Sequence, residues 1–220
     1  MTVPQRPLVR SIPSLAQRLR ASEAVIIPTD TLPGLAVLPE NAETIWMLKQ
    51  RPADKPLILM GATVEALLEG VDPCCHDDAK TLATKHWPGA ITLVLPARGP
   101  YVDYLNPGGS NIGCRIPACA ITQNLLSISG PLATSSANPS GKPAATTAFE
   151  AAQLFPSLAQ LGPQPWPTHS GQASTVLVWR DVGCWHIARR GAVMPEGIPT
   201  GNDHSCGPLL GRDDLFALGA

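Results

Sequence analysis

The sequence predicts a single α/β domain, a twisted mixed sheet flanked by helices with a ligand cleft at its strand ends. Three observations predict it. Short apolar runs such as Ala24-Val25-Ile26-Ile27 alternate along the chain with stretches of helical periodicity. The alternation lacks the strict strand–helix–strand repetition of a doubly wound fold, and the last two strand-like runs are joined by a short turn. At 220 residues and 44% hydrophobic content, the chain supports one well-buried core and not comfortably two.

In order, Ile12, Leu15 and Leu19 recur at helical spacing and lead into a strand over 24–27. Four arginines (Arg6, Arg10, Arg18, Arg20) precede the first acid, Glu23, a balance also found in organellar transit peptides. A first helix of the fold explains it more simply. Asn41 is a candidate N-cap for a helix through Ile45, Trp46 and Leu48 that Pro52 stops. A buried strand over 56–60, a short helix near 64–68 and another over 77–85 follow. Trp87-Pro88-Gly89 turns the chain into a strand over 91–95, and Asn111–Ile116 is the next strand. A helix over 121–128, a strand over 131–135 and a loop over 136–141 come next. Thr147-Ala148-Phe149-Glu150 has capping-box form and opens a helix to about Phe155. Runs at 175–179 and 185–189 make a closing antiparallel pair. Composition then divides the chain into a folded domain over 1–193 and a loose Pro/Gly-rich tail over 194–220.

A formal net charge of −1 excludes a chain built as a whole to coat nucleic acid. No apolar run approaches the ~18 residues of a membrane helix, so no membrane partner is expected. Cys74, Cys75, Cys114, Cys119, Cys184 and Cys206 form no CxxC pair, and no secretory segment precedes residue 20. Free thiols in a reducing compartment are the expectation. Cys74-Cys75-His76-Asp77 is read as a helix start with acids at its N-terminal end, not as a metal patch. His86, His169 and His186 are read as structural.

Three clusters carry chemistry, each open to a plainer reading. Pro28-Thr29-Asp30-Thr31-Leu32-Pro33-Gly34 can fix a small polar substrate or merely cap a turn. Lys49-Gln50-Arg51-Pro52-Ala53-Asp54-Lys55-Pro56 can clamp polyphosphate or complement a helix C-terminus. Thr134-Ser135-Ser136-Ala137-Asn138-Pro139-Ser140-Gly141 can approach a ligand closely or be ordinary loop. The third lacks the residue order of a P-loop.

Taken together and in order, these segments resemble the YrdC-like threonylcarbamoyl-AMP synthase family from about Leu15 to Val193. Trp87-Pro88-Gly89, Arg115-Ile116-Pro117, Ser174-Thr175-Val176 and Arg189-Arg190-Gly191 add to the resemblance. It implies a YrdC-like catalytic domain that condenses L-threonine, bicarbonate and ATP to threonylcarbamoyl-AMP and pyrophosphate, with Mg²⁺ accompanying ATP. It implies a cytoplasmic nucleotidyltransferase, upstream of a threonylcarbamoyl transferase complex that modifies tRNA. The catalytic residues it implies are Lys49, Arg51, Ser136 and Asn138. Thr31, Arg115, Thr134 and Ser174 would bind L-threonine, and Arg51, Lys55, Ser136 and Arg189 would bind ATP. No protein metal ligand is implied beyond contacts to Mg-ATP. In this picture Arg115 offers a fork to the substrate carboxylate.

The chain departs from the family pattern at Pro33, where an aromatic is usual, and at Ala144, which lacks a hydroxyl. It departs again at His169-Ser170-Gly171, a shortened stretch where an acid is common. The resemblance ends near Val193, so the C-terminal domain of longer members is not expected. Two alternatives remain: a paralogue with another substrate, and a double-stranded RNA or tRNA-binding module without synthase activity, for which weak RNA binding in the cleft would be the sign.

Overall fold

A computed structural model describes residues 7–196 and 198. The expected tail over 194–220 therefore lies outside the described residues except at 194–196 and 198, and so does Cys206. The strands are β1 (Leu8–Arg10), β2 (Val25–Ile27), β3 (Gly34–Val37), β4 (Ile58–Met60) and β5 (Ile91–Pro96), followed by β6 (Asn111–Arg115), β7 (Leu132–Ser136), β8 (Ala159–Leu161), β9 (Thr175–Asp181) and β10 (Cys184–Arg189). They form one sheet in the order β1-β8-β2-β3-β7-β4-β6-β5-β9-β10. The pairs β1–β8, β2–β8, β4–β6 and β5–β9 are parallel; the other neighbours are antiparallel. This is the expected mixed sheet.

Helices α1 (Ile12–Arg20) and α6 (Ala120–Ser129) cover one face. The other face carries α2 (Glu43–Lys49), α3 (Val64–Leu68), α4 (His76–His86), α5 (Pro100–Leu105) and α7 (Ala148–Leu154). Strand alternation feeds both cores: Val25 and Ile27 join the α1/α6 side, and Ile26 the other. A run buried on both faces has to be apolar throughout, as 25–27 is.

Local chemistry explains most boundaries. Thr63 caps α3 by accepting from Ala66 N at 3.3 Å. Thr147 caps α7, accepting from Glu150 N at 3.0 Å. The Glu150 carboxylate reaches back to Thr146 N (2.7 Å) and Oγ1 (2.8 Å), one residue earlier than a capping box requires. Asn41 is not a cap. It ends a 3₁₀ turn over Pro39–Asn41, and α2 starts after Ala42 with no side-chain cap.

Strands β1, β3 and β8 and helix α5 escape the sequence reading. Each strand is only three or four residues long and is defined by its neighbours, not by its own periodicity. The free-thiol expectation also needs correcting. Cys74, Cys75, Cys114 and Cys119 are free, but Cys184 is disulfide-bonded, which the sequence alone does not report.

Candidate active site

On the α1/α6 face of the sheet, past the core those helices cover, a cavity of about 600 Å³ opens. Alternation aims Ile58, Met60, Thr92, Thr134 and Val176 into it, while Leu57, Leu59, Leu93, Ala133 and Leu177 pack in the opposite core. The loops after β2, β7 and α2 and the strap before β9 complete the rim. Thr31, Arg51, Arg115, Thr134, Ser136, Ser174 and Arg189 all line this one cavity; Lys49, Lys55 and Asn138 do not.

Arg115 ends β6 and is 3% exposed. Its Nη2 donates to Asp30 Oδ1 at 2.6 Å, Nη1 to Thr31 Oγ1 at 2.8 Å, and Nε to Gly89 O at 2.9 Å. Asp30 Oδ1 also accepts from Ala118 N at 3.0 Å. Arg115 is therefore not the open fork expected from the sequence: each of its three nitrogens already holds a partner, and one N–H on each terminal nitrogen remains for a ligand. Burial lowers its pKa, and the Asp30 carboxylate opposes that pull. The first cluster's acid thus orients the cation.

Arg189 reaches in from β10. Its Nε (3.2 Å) and Nη2 (3.0 Å) donate to Ser174 O, and Nη2 also lies 3.3 Å from Ser174 Oγ. Burial and then the neighbouring Arg115 lower its pKa. Two neighbouring guanidinium groups, with Asp30 paired to Arg115, leave this wall cationic.

The second cluster splits at its helix end. Gln50 adopts φ 51, and Arg51 N donates to Trp46 O at 3.1 Å, which closes α2 in a left-handed cap. That reversal sends Lys49 and Arg51 in different directions. Arg51 turns to the cavity, with Nη2 on Lys55 O (2.6 Å) and Pro56 O (2.9 Å) and Nη1 3.5 Å from Ser135 Oγ. Its Nε is buried with no protein partner among the described residues. Burial lowers its pKa to about 10, against the pull of Asp54, so it stays charged at neutral pH.

Lys49 turns inward instead. Its ammonium is 2% exposed overall and donates to Ser136 O (2.6 Å), Asn138 O (2.8 Å) and Asn138 Oδ1 (3.0 Å). Asn138 Nδ2 donates to Pro139 O (3.1 Å) and Lys142 O (2.6 Å), and Ser140 N donates to Lys49 O (2.7 Å). These two residues shape the 136–142 loop from behind; they do not meet the cavity. Lys55 serves through its carbonyl, which accepts from Arg51 and from Trp46 Nε1 (2.9 Å).

Thr92, Lys142 and Thr146 line the cavity and were missed. Thr92 was legible: it stands at an inward position of the strand that follows Trp87-Pro88-Gly89. At the departures, Pro33 contributes its carbonyl to Ala137 N (2.9 Å), while Ala144 lines the cavity. The strap is pinned by Ser170 N to Asp30 O (3.0 Å) and Gly171 N to Thr31 O (3.1 Å). His169 joins it to the opposite rim, with Nε2 on Thr146 O and Nδ1 accepting from Gly171 N at 3.0 Å. Histidine thus makes at this position a contact that needs both a donor and an acceptor.

Among the described residues, no three His, Cys, Asp or Glu side chains gather as a metal site, and no helix is long and apolar enough to cross a membrane.

A sequence profile of the Sua5/YciO/YrdC family, described as telomere recombination, matches residues 17–191. The threonylcarbamoyl-AMP synthase of Pyrococcus abyssi is 37% identical over 185 residues, which is 82% of this chain and 52% of that protein. The synthase of Bacillus subtilis is 36% identical over 180 residues, 77% of this chain and 51% of that protein. The chain spans about half the length of these curated relatives. The crystal structure of P. abyssi Sua5 complexed with L-threonine superposes with a TM-score of 0.76 at 30% identity, covering 84% of this chain and 57% of that one.

Proposed function

This chain belongs to the Sua5/YciO/YrdC family, and we propose that it condenses L-threonine, bicarbonate and ATP to threonylcarbamoyl-AMP and pyrophosphate. One observation carries the reading. Arg51, Arg115 and Arg189 line a single cavity with the hydroxyls of Thr31, Thr134, Ser136 and Ser174, and among the described residues no Asp or Glu lines it. Such a site suits an anionic ligand at both ends. Likeness to relatives named for this synthesis, one of them solved with L-threonine, supports the assignment.

In this reading the threonine amine and bicarbonate first join as a carbamate, losing water. A carbamate oxygen then attacks the α-phosphorus, the bond to the β-phosphate oxygen breaks, and pyrophosphate leaves in line. Arg115, held by Asp30, meets the threonine carboxylate with its two remaining N–H groups, while Thr31, Thr134 and Ser174 surround the amino acid. Arg51, Ser136 and Arg189 meet the phosphates, and Lys49 and Asn138 hold the loop that presents Ser136. With no acid on the cavity wall among the described residues, Mg²⁺ would be held through ATP and not by protein carboxylates, and would supply charge neutralisation. Catalysis is then positioning plus electrostatics, and no protein nucleophile is needed. The product is a mixed anhydride, and its natural consumer is the complex that transfers the threonylcarbamoyl group to tRNA.

The test is pyrophosphate release with Mg²⁺, ATP, bicarbonate and L-threonine. Release is expected only when all are present, and release with a different amino acid would favour the paralogue reading. Arg115→Ala is expected to raise the KM for threonine at least tenfold more than the KM for ATP, since it removes charge-assisted donors worth about 1.5–3 kcal/mol each. Equal losses for both substrates would remove Arg115 from the amino-acid site.

A further inference from the structure

On the cavity wall, the functional reading gives no role to Thr92. This threonine stands in β5 with no exposed surface, and its Oγ1 lies 2.8 Å from Ser174 Oγ. Among the described residues, that is its only hydroxyl contact. Ser174 Oγ has one further neighbour, Arg189 Nη2 at 3.3 Å, and a guanidinium can only donate.

The proton of the pair can lie in two ways. If Ser174 donated to Thr92, the Thr92 hydrogen would have no acceptor at a fully buried position, and a stranded buried donor is costly. If Thr92 donates, its hydrogen is satisfied. The two lone pairs of Ser174 are then filled by Thr92 and Arg189, and the Ser174 hydrogen is left over. Ser174 lines the cavity, so that hydrogen projects toward whatever binds there. Arg115 and Arg189 on the same wall also offer only donors.

The geometry points to Thr92 as a positioning residue that fixes Ser174 as a hydrogen-bond donor, making this wall selective for an acceptor group, such as a carboxylate oxygen, on the amino-acid substrate. The choice of L-threonine as that substrate rests on the synthase reading. The direction of the hydroxyl pair does not.

The variant for the test is Thr92→Val, which keeps shape and strand propensity but deletes the hydroxyl. In pyrophosphate release, Thr92→Val should raise the KM for L-threonine about five- to tenfold, the effect of one lost hydrogen bond. The KM for ATP should stay within about twofold. L-threoninamide, which replaces the carboxylate by a group that also donates, is the discriminating probe. The preference for threonine over the amide in kcat/KM should narrow about fivefold in Thr92→Val, and Thr92→Ser should restore it. Merely structural packing would not move that ratio. An unchanged ratio, or equal rises in both KM values, overturns the proposal.

A second arm uses thermal melts of the free protein and holds even where the parent releases no pyrophosphate. Thr92→Val should lower the Tm of the parent by on the order of 2–4 °C. It should raise the Tm of Ser174→Ala, where the Thr92 hydrogen would otherwise be stranded. If Thr92→Val stabilises the parent, or destabilises Ser174→Ala further, the hydrogen runs the other way and the assignment is wrong. A failed parent assay with the expected melts would instead dismiss the synthase reading alone.

Discussion

Arg51→Ala is expected to lose on the order of 10²-fold in pyrophosphate release while remaining folded. Two roles compete for this side chain. As scaffold, its Nη2 ties the carbonyls of Lys55 and Pro56. That contact flanks an exposed stretch, Pro52–Asp54, where water can replace the lost donor, so the melt should fall by only a few degrees. As a phosphate clamp, its charge strengthens its hold as negative charge moves onto the leaving pyrophosphate. Removing it should then lower turnover more than binding. Arg51→Lys should recover only part, because a point charge does not reproduce the planar fork. Pyrophosphate release measured beside a melt of each variant decides the matter. Parent-like turnover in Arg51→Ala would return the cation to the scaffold.

Lys49→Met should be the most destabilising of the substitutions considered. The ammonium donates to Ser136 O, Asn138 O and Asn138 Oδ1 in a buried site; methionine leaves Asn138 O without a donor, while Ser136 O keeps Asn138 N and Asn138 Oδ1 keeps Ser136 Oγ. A cost of about 1.5–3 kcal/mol follows from losing a buried charged donor to neutral oxygens. That corresponds to a Tm loss of roughly 3–12 °C at this chain length. Activity should fall with it, because the 136–142 loop loses its anchor. The parent should also show a pH signature. Burial, and then Arg51, lower the Lys49 pKa to about 7, while an unfolded lysine titrates near the ordinary value of 10.5. Between those values the unfolded chain holds a proton that the folded chain has lost, so stability rises with pH. Below pH 7 both states hold it and the contribution is flat. Over pH 7–8.5 the stability of the parent relative to Lys49→Met should climb by at most about 1.4 kcal/mol per pH unit. The buried Cys75 and Cys114 thiols, whose pKa values are raised, act in the opposite sense at higher pH, but they are common to parent and variant and cancel in this difference. Denaturant melts across that range provide the check, and a flat difference would mean that Lys49 does not titrate as its burial requires.

Much of the fold was legible because it depends on local chemistry. Helix α3 and the Thr147 cap follow from short-range side-chain and backbone rules, and the apolar run at 25–27 announces a strand buried on both faces. What stayed hidden is non-local. Strand β3 is four residues whose place is set by β2 and β7, and β1 and β8 pair across the length of the domain.

The candidate site divides along the same line. Residue order, through the family resemblance, brought together the segments that line the cavity, because arginines and small hydroxyls recur there at strand and helix ends. The division of labour came only from tertiary structure. Lys49 and Arg51 stand two residues apart, yet the left-handed turn at Gln50 sends one to the loop's interior and the other to the cavity. Arg115, read as an open fork, is already partly held by Asp30, Thr31 and Gly89. Thr92 matters through Ser174, 82 residues away in sequence. Sequence reports which groups a chain owns, but a hydrogen bond is made by direction and distance, and those exist only once the backbone has brought the partners together.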